Sequence, residues 1–257
     1  MNKIGLTLSG GGIRGMAHLG VLEYLLEIDI KPSVISGTSA GSLVGIFYAA
    51  GYTPKEILEI GKAEKIFGYT NIKLRWSGLF SADIFDNILT KYIKQSTIEE
   101  LSIPIYIVAT DLTNARQYVF DKGSIANAVK ASCCVPLVFE PVKYGDIFLC
   151  DGGILNNFPV DIIKNRCDTL IGINVSNIEE LSIKSWSYRK VLERTIKISI
   201  DSNTYNQKDL CNIYVEPPSM SNYGTFDYSK SDQLFQLGYN YAKSIKDNFN
   251  KIGIKKV

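Results

Sequence analysis

The stretch VISGTSAG, residues 34–41, joins a short apolar strand to a nearly all-apolar helix predicted over 40–50. Within it, Gly37-Thr38-Ser39-Ala40-Gly41 fits the pattern G-x-S-x-G. In that pattern the serine occupies a tight, strained turn between strand and helix, and the residues two before and two after it must be small. We therefore expect the Ser39 hydroxyl to project above a sheet at a helix N-terminus, where the helix dipole favours developing negative charge.

A glycine-rich loop lies before this stretch. It reads SGGGIRG at residues 9–15, between a strand predicted over 4–8 and a helix predicted over 16–28. Three adjacent glycines leave backbone N–H groups able to converge on an anion, which is what the oxyanion of an acyl-transfer intermediate needs. Arg14 would add positive charge near that oxyanion or near a lipid phosphate.

The same loop also fits a second template. Gly10-x-Gly12-x-x-Gly15 matches the dinucleotide-binding fingerprint, which needs an acidic residue about 20 positions further on to hold the ribose. The second predicted strand ends instead in Gly37-Thr38-Ser39, without Asp or Glu. A dinucleotide-dependent enzyme, and a glycine turn that only packs a helix onto a strand, stay open as alternatives.

A third signal is Asp151-Gly152-Gly153, which follows a strand predicted over 147–150. A carboxylate at the C-terminal end of a parallel strand lies at the edge where such sheets bind ligands. The two glycines would let another chain segment or a substrate approach closely. Taken alone, Asp-Gly is also a common turn.

The chain contains one histidine, His18, on the first predicted helix. A Ser-His-Asp triad would need it, but an α/β-hydrolase places its histidine after the serine and the acid. We therefore expect His18 to pack a helix or to support the glycine loop. A carboxylate base is then the available choice, and partial burial of Asp151 would raise its pKa from the reference value of about 3.9.

In this order, the glycine loop, G-x-S-x-G and D-G-G resemble the patatin-like phospholipase family over residues 3–159. The resemblance extends to Ala131-Ser132 followed by Pro136, and to Asn156-Asn157-Phe158-Pro159. It implies a lipid acyl hydrolase, of phospholipase A or lysophospholipase type, that needs no metal or organic cofactor. A non-catalytic lipid- or acyl-binding relative stays open as an alternative.

The resemblance also assigns roles to individual residues. It implies that Ser39 is the nucleophile and that Asp151 is the general base. It further implies that the oxyanion is held by the loop containing Gly10, Gly11 and Gly12, together with Arg14. The implied substrate is a lipid or phospholipid acyl ester, and the oligomeric state is not predicted.

The alternation of predicted strands and helices indicates an α/β fold with a mostly parallel central sheet flanked by helices on both faces. The family resemblance implies that this fold is a patatin-like three-layer sandwich. The chain has 257 residues, of which 46% are hydrophobic and 21% charged, so one domain over residues 1–257 is the simplest expectation. Five cysteines fit no zinc pattern and are expected to be reduced and mostly buried.

Charge and hydropathy limit the kinds of molecule that the protein is expected to bind. The net charge is +2 and no dense Lys/Arg run occurs, which argues against a nucleic-acid partner. The N-terminus leads directly into a strand, and no apolar run approaches the roughly 18 residues of a membrane-spanning helix. We expect a cytoplasmic protein that meets a membrane only from outside. The aromatic and basic residues between Phe67 and Phe80 fit an ordinary buried loop whose charges face water, and they also fit a lid or lipid-entry surface.

Overall fold

A central sheet organises the computed structural model, which describes residues 2–64, 80–178, 187–224 and 227–250. Its strands in the described ranges are β1 (Ile4–Leu8), β2 (Val34–Thr38), β3 (Ile105–Asp111), β4 (Arg116–Phe120), β5 (Val142–Tyr144), β6 (Ile147–Asp151), β7 (Thr169–Ile173) and β8 (Ile213–Val215). They form one sheet in the order β5-β6-β3-β2-β1-β7-β8, and β4 pairs with β3 outside that row.

Helices connect and cover these strands. In the described part of the chain they are α1 (Met16–Glu27), α2 (Ala40–Ala49), α3 (Pro54–Glu64), α4 (Ile84–Tyr92), α5 (Ile125–Cys133), α6 (Gly153–Asn156), α7 (Val160–Ile163), α8 (Tyr188–Tyr205), α9 (Ser231–Ser244) and α10 (Lys246–Asn250). A short 3-10 helix over Gly12–Gly15 leads from the glycine loop into α1.

The sheet is mostly parallel, as predicted. Strands β3, β2, β1, β7 and β8 run in the same direction, whereas β4 and β6 are antiparallel to β3. The expectation that Asp151 ends a parallel strand is therefore wrong. A turn at Gly145 and Asp146 reverses the chain between β5 and β6, so β6 returns along β3 in the opposite direction.

Both faces of the sheet are covered. Neighbouring residues of β2 enter different cores: Ile35 belongs to the larger one and Val34 to the smaller one. The larger core includes side chains of α1, α2, α5 and α9, and the smaller one includes Val160 and Ile163 of α7. Because successive strand residues point to opposite faces, the two cores lie on opposite sides of the sheet, which confirms the three-layer arrangement.

The helix that follows the glycine loop is fixed by backbone contact. A Cβ atom added at Gly20 of α1 would clash with the Phe235 carbonyl oxygen, and one at Gly238 of α9 would clash with the Ala17 carbonyl oxygen. The backbones of α1 and α9 therefore touch, and α9 holds α1 against the sheet.

Several smaller expectations have clear outcomes. All five cysteines are unpaired, three of them buried and two partly buried. The N-cap of α4 is Asp83, and Ser81, two residues earlier, donates a hydrogen bond from its hydroxyl to the Asp83 carboxylate at 2.6 Å. The aromatic and basic segment that precedes Phe80 lies outside the described residues.

None of the helices in the described ranges is long and apolar enough to cross a bilayer. The cytoplasmic location and the single-domain organisation stay predictions.

Candidate active site

Ser39 occupies the junction of β2 and α2 with backbone angles φ 51° and ψ −121°. A positive φ strains any residue other than glycine, so the predicted strained turn is present. A Cβ atom at Gly37 would lie 2.7 Å from the Gly41 carbonyl, and one at Gly41 would clash with the Leu8 carbonyl oxygen. The small residues therefore let β1, β2 and α2 meet at the serine.

Buried hydroxyl groups hold this strained backbone in place. The Ser39 N–H donates to Ser132 Oγ at 2.8 Å, and the Ser132 hydroxyl donates to the Val108 carbonyl at 2.7 Å. The Ser42 hydroxyl donates to the Ser39 carbonyl at 2.6 Å. Ser132 thus bridges α5, the turn and β3. The sequence singled out Ser132 only within the family resemblance and gave it no role.

Strand register brings Asp151 to the serine. Thr38 at the end of β2 pairs with Val108 of β3, and the next β3 residue, Ala109, pairs with Asp151. Ser39 and Asp151 are therefore level with each other on the two sides of one intervening strand. The Ser39 hydroxyl lies close enough to the Asp151 carboxyl to lower the pKa of that carboxyl. The antiparallel direction of β6 does not prevent this arrangement, because Asp151, the last residue of β6, pairs with Ala109 beside Val108.

The surroundings of Asp151 set its acidity. Burial raises the pKa of this carboxyl to about 6, against the smaller opposing effects of the Ser39 hydroxyl and the Gly153 N–H, which donates to it at 2.8 Å. The group is thus ionised at neutral pH and is a stronger base than an exposed aspartate. A Cβ atom at Gly152 would clash with the Val108 carbonyl oxygen, so the glycine permits this close approach to β3.

The glycine loop lies against the serine. A Cβ atom at Gly10 would be 3.3 Å from the Ser39 Cβ and would clash with the Asn157 side chain. The Gly10 N–H donates to the Asn157 carbonyl at 3.0 Å, which differs from the expectation that Gly10 donates to an oxyanion. The amides of Gly11 and Gly12 have no acceptor among the described residues. These two amides are therefore donors that the loop can offer to an anion.

The side chains of Arg14 and His18 donate hydrogen bonds to backbone carbonyls of the glycine loop. The Arg14 guanidinium donates to the Gly11 carbonyl at 3.2 Å and to the Asn177 carbonyl at 3.5 Å. The fully buried His18 ring donates through Nε2 to the Ser9 carbonyl at 2.9 Å. Burial lowers the pKa of His18 to about 4, so the ring is neutral at physiological pH. The histidine therefore contacts the start of the loop, as the sequence predicted for a supporting residue.

Two asparagines tie the loop to the segment after Asp151. The Asn157 side chain donates to Ser176 Oγ at 2.7 Å, and the Asn157 N–H donates to Asn203 Oδ1 at 2.9 Å. The Asn203 amide of α8 also donates to the carbonyls of Gly153 and Ile154, at 3.0 and 3.2 Å. Sequence analysis missed Asn203, because it lies 52 positions after Asp151 in a stretch that matches no motif.

A thiol also lies beside the pair. Cys133 is buried, and its thiol pKa is raised by burial and further by the Asp151 carboxylate. The thiol is therefore protonated and does not compete with Ser39 as a nucleophile. Within the described ranges, no cluster of three or more His, Cys, Asp and Glu side chains is arranged to hold a metal ion.

Comparison with known proteins agrees with this fold. VipD from Legionella pneumophila has the same fold, with a TM-score of 0.54 and 14% identity over 96% of this chain and 67% of VipD. Patatin-like phospholipase domain-containing protein 6 of Mus musculus is 28% identical over 95% of this chain and 20% of its own length. Lysophospholipase NTE1 of Kluyveromyces lactis is 27% identical over 93% of this chain and 19% of its own length.

The chain thus spans about a fifth of the length of the curated relatives that it matches. The family model of the patatin-like phospholipases matches residues 6–164, well over half of the sequence. This match includes the glycine loop, the serine turn and the aspartate strand. The chain belongs to the patatin-like phospholipase family.

Proposed function

We propose that this protein is a lipid acyl hydrolase, of phospholipase A or lysophospholipase type, with Ser39 as nucleophile and Asp151 as general base. The observation that carries the proposal is the proximity of a serine at a strained turn to a buried carboxyl whose pKa is raised to about 6. A lipid ester as substrate is supported by family membership and by the lysophospholipase name of one relative.

The first half of the reaction forms an acyl-enzyme. Asp151 accepts the Ser39 proton while the serine oxygen attacks the ester carbonyl. The resulting oxyanion binds the amides of Gly11 and Gly12, and the N-terminus of α2 adds favourable potential. The intermediate collapses, the alcohol part of the lipid leaves with the proton from Asp151, and the acyl group stays on Ser39.

The second half releases the fatty acid. Asp151 accepts a proton from water as the water oxygen attacks the acyl carbonyl, and the same amides bind the second oxyanion. Collapse breaks the bond to Ser39, and the serine oxygen takes the proton back from Asp151. A base with a pKa near 6 suits both halves, because it is ionised at neutral pH and still accepts a proton readily.

Hydrolysis by active-site variants tests the proposal. We expect Ser39→Ala and Asp151→Asn each to abolish hydrolysis of a p-nitrophenyl ester and of lysophosphatidylcholine in folded protein. A fluorophosphonate should label the wild type and not Ser39→Ala. Full activity in Asp151→Asn would refute the pair, and an unlabelled wild type without activity on a lipid panel would favour the non-catalytic lipid-binding alternative.

Matched controls come from the opposite ends of the same strands. Ser33 precedes β2 and donates to the Ile4 carbonyl at 3.1 Å, and Asp146 lies in the turn before β6. We expect Ser33→Ala and Asp146→Asn to keep wild-type activity. A thermal shift with NAD(P) addresses the dinucleotide alternative, and we expect none.

A further inference from the structure

Helix α8 exposes an apolar face. The side chains of Tyr188, Val191, Ile198 and Tyr205 are 85%, 47%, 52% and 68% exposed. They are spaced by three and seven residues, so at 3.6 residues per turn they share one side of the helix. We call this the outer face of α8. Large apolar side chains exposed together on one helix face usually mark a binding surface.

The outer face does not hold the helix to the protein. Leu192, Ile196 and Ile200 are half-buried on the opposite side, and Thr204 is buried there. Asn203 adds the hydrogen bonds to Gly153 and Ile154. The helix is thus apolar on two sides, of which one is attached to the protein.

Basic residues border the outer face. By helical spacing, Lys190, Arg194 and Lys197 lie along one edge of the outer face, between it and the attached side, at positions that also include the acidic residue 201. Lys208, which follows α8, places its ammonium group 4.0 Å from the centre of the Tyr205 ring. Residues 188–208 contain five basic and two acidic residues, so the stretch is positively charged.

We propose that the outer face of α8 docks the protein on an anionic lipid surface. Aromatic and aliphatic side chains enter the interface, and the basic border faces the anionic head groups. Charge favours this occupant over a second copy of the chain, because two such helices would repel each other. The proposal rests on the proposed function, in which the substrate is a lipid.

The attachment of α8 gives this docking a consequence for the site. Asn203 donates to the carbonyls of Gly153 and Ile154, the second and third residues after Asp151, so one side chain joins α8 to the segment that follows the aspartate strand. Leu155 of α6, the helix against which α8 packs, adds another exposed apolar side chain, 42% exposed. A lipid surface bound by α8 therefore lies beside the strand end that carries Asp151.

Vesicle co-sedimentation tests the proposal, with every protein also carrying Ser39→Ala so that no hydrolysis alters the lipid. We expect binding to vesicles of phosphatidylglycerol and phosphatidylcholine, and weaker binding at high salt. Val191→Gln with Ile198→Gln should weaken binding about tenfold or more. Lys190→Gln with Lys197→Gln should weaken it about tenfold or more on phosphatidylglycerol vesicles and little on pure phosphatidylcholine.

A matched control is the exposed apolar pair Leu112 and Phe148, which are 47% and 48% exposed and joined by a backbone hydrogen bond of 2.9 Å. Leu112→Gln with Phe148→Gln should leave binding unchanged. Tyr188→Ser, at the first residue of α8, is a second outer-face variant should the double substitution disturb folding, and it should also weaken binding.

Three results would overturn the docking proposal. They are vesicle binding unchanged by the outer-face variants, equal loss in the Leu112 and Phe148 control, or a lipid-free dimer in light scattering that the outer-face variants dissociate. With Ser39 restored, the outer-face variants should hydrolyse a soluble p-nitrophenyl ester at the wild-type rate and vesicle lipid more slowly. Ester hydrolysis that survives Ser39→Ala would instead refute the proposed function, and the vesicle-binding result would stand apart from it.

Discussion

The raised pKa of the Asp151 carboxyl affects the stability of the protein as well as the proposed reaction. Burial raises its pKa from the usual 3.8 to about 6, so the folded protein binds this proton more tightly than the unfolded chain does. Below the pKa that it has in the unfolded chain, the group is protonated in both the folded and the unfolded protein and does not lower the free energy of unfolding. As pH rises through the folded-state pKa, the charge must be buried and the free energy of unfolding falls relative to that of a neutral side chain.

Asp151→Asn should therefore stabilise the protein in neutral and alkaline solution. The amide keeps an oxygen for the Gly153 N–H and carries no charge. We expect the variant to exceed the wild type by about 3 kcal/mol near pH 8, and the difference to vanish near pH 4. Urea denaturation across this range measures it, and the comparison cancels the opposite pH dependence of His18. A variant less stable than wild type at about pH 8 would contradict the burial argument.

Ser132 should act on catalysis through the Ser39 backbone. Ser132→Ala removes the acceptor for the Ser39 N–H and leaves the Val108 carbonyl without its donor. Because small displacements of reacting groups reduce rates steeply, we expect kcat for a soluble ester to fall about 10- to 100-fold with little change in KM. Stability should fall by about 1–3 kcal/mol.

A buried hydroxyl elsewhere separates these effects. Ser36 of β2 donates to the Pro159 carbonyl at 2.8 Å and is fully buried. Ser36→Ala should lower stability by a similar amount and leave kcat unchanged. Equal kcat losses in both variants would show that Ser132 acts only through stability.

The contact between α1 and α9 holds the glycine loop in place, although the loop belongs to neither helix. The glycine loop enters α1, and α9 holds α1 through backbone contact at Gly20 and Gly238. Such an approach leaves no room for even a methyl group, so the contact is set by the absence of side chains.

Gly238→Ala should therefore destabilise the protein although alanine favours helices. The new Cβ would clash with the Ala17 carbonyl oxygen, and we expect a loss of about 3 kcal/mol in the free energy of unfolding. Gly224→Ala is the control, because a Cβ there meets nothing within 4 Å, and its effect should stay within about 0.5 kcal/mol. An equal effect of both substitutions in thermal or urea unfolding would disprove the close contact.

Parts of the chain that lie beyond the family motifs complete the protein. The family model ends at residue 164, yet β7 pairs with β1 along its whole length and β8 pairs with β7. Without them, β1 would become an exposed edge next to the serine turn. The later strands therefore belong to the structural support of the site.

A chain that ends at residue 166 should not fold. It would lose β7, β8, α8 and α9, and with them the cover of α1 and one neighbour of β1. We expect circular dichroism without a cooperative thermal transition and rapid digestion by protease. The full chain under the same conditions is the reference, and a cooperative transition in the short chain would show that residues 1–166 form a unit by themselves.

Local pattern explains which parts of this structure could be predicted. The serine turn depends on residues within five positions of each other, so its strain and its close contacts followed from G-x-S-x-G. The amphipathic helix α3 was missed, although Ile57, Leu58 and Ile60 give it a buried side. The direction of β6 depends on a hairpin, and the roles of Ser132 and Asn203 depend on contacts between distant segments. No local pattern contains that information.

Strand β3 lies between Ser39 and Asp151 and contains neither residue. Val108 pairs with Thr38, the residue before Ser39, and the next residue, Ala109, pairs with Asp151. The register at these two residues of β3 therefore sets the distance between Ser39 and Asp151. Inserting one residue between Val108 and Ala109 would turn the side chains that follow it to the opposite face of the sheet. It would also shift the Asp151 carboxyl, which is on the strand paired with β3, away from Ser39. Substitutions of β3 side chains that respect packing should therefore leave the positions of Ser39 and Asp151 intact, whereas an insertion or a deletion between Val108 and Ala109 should separate them.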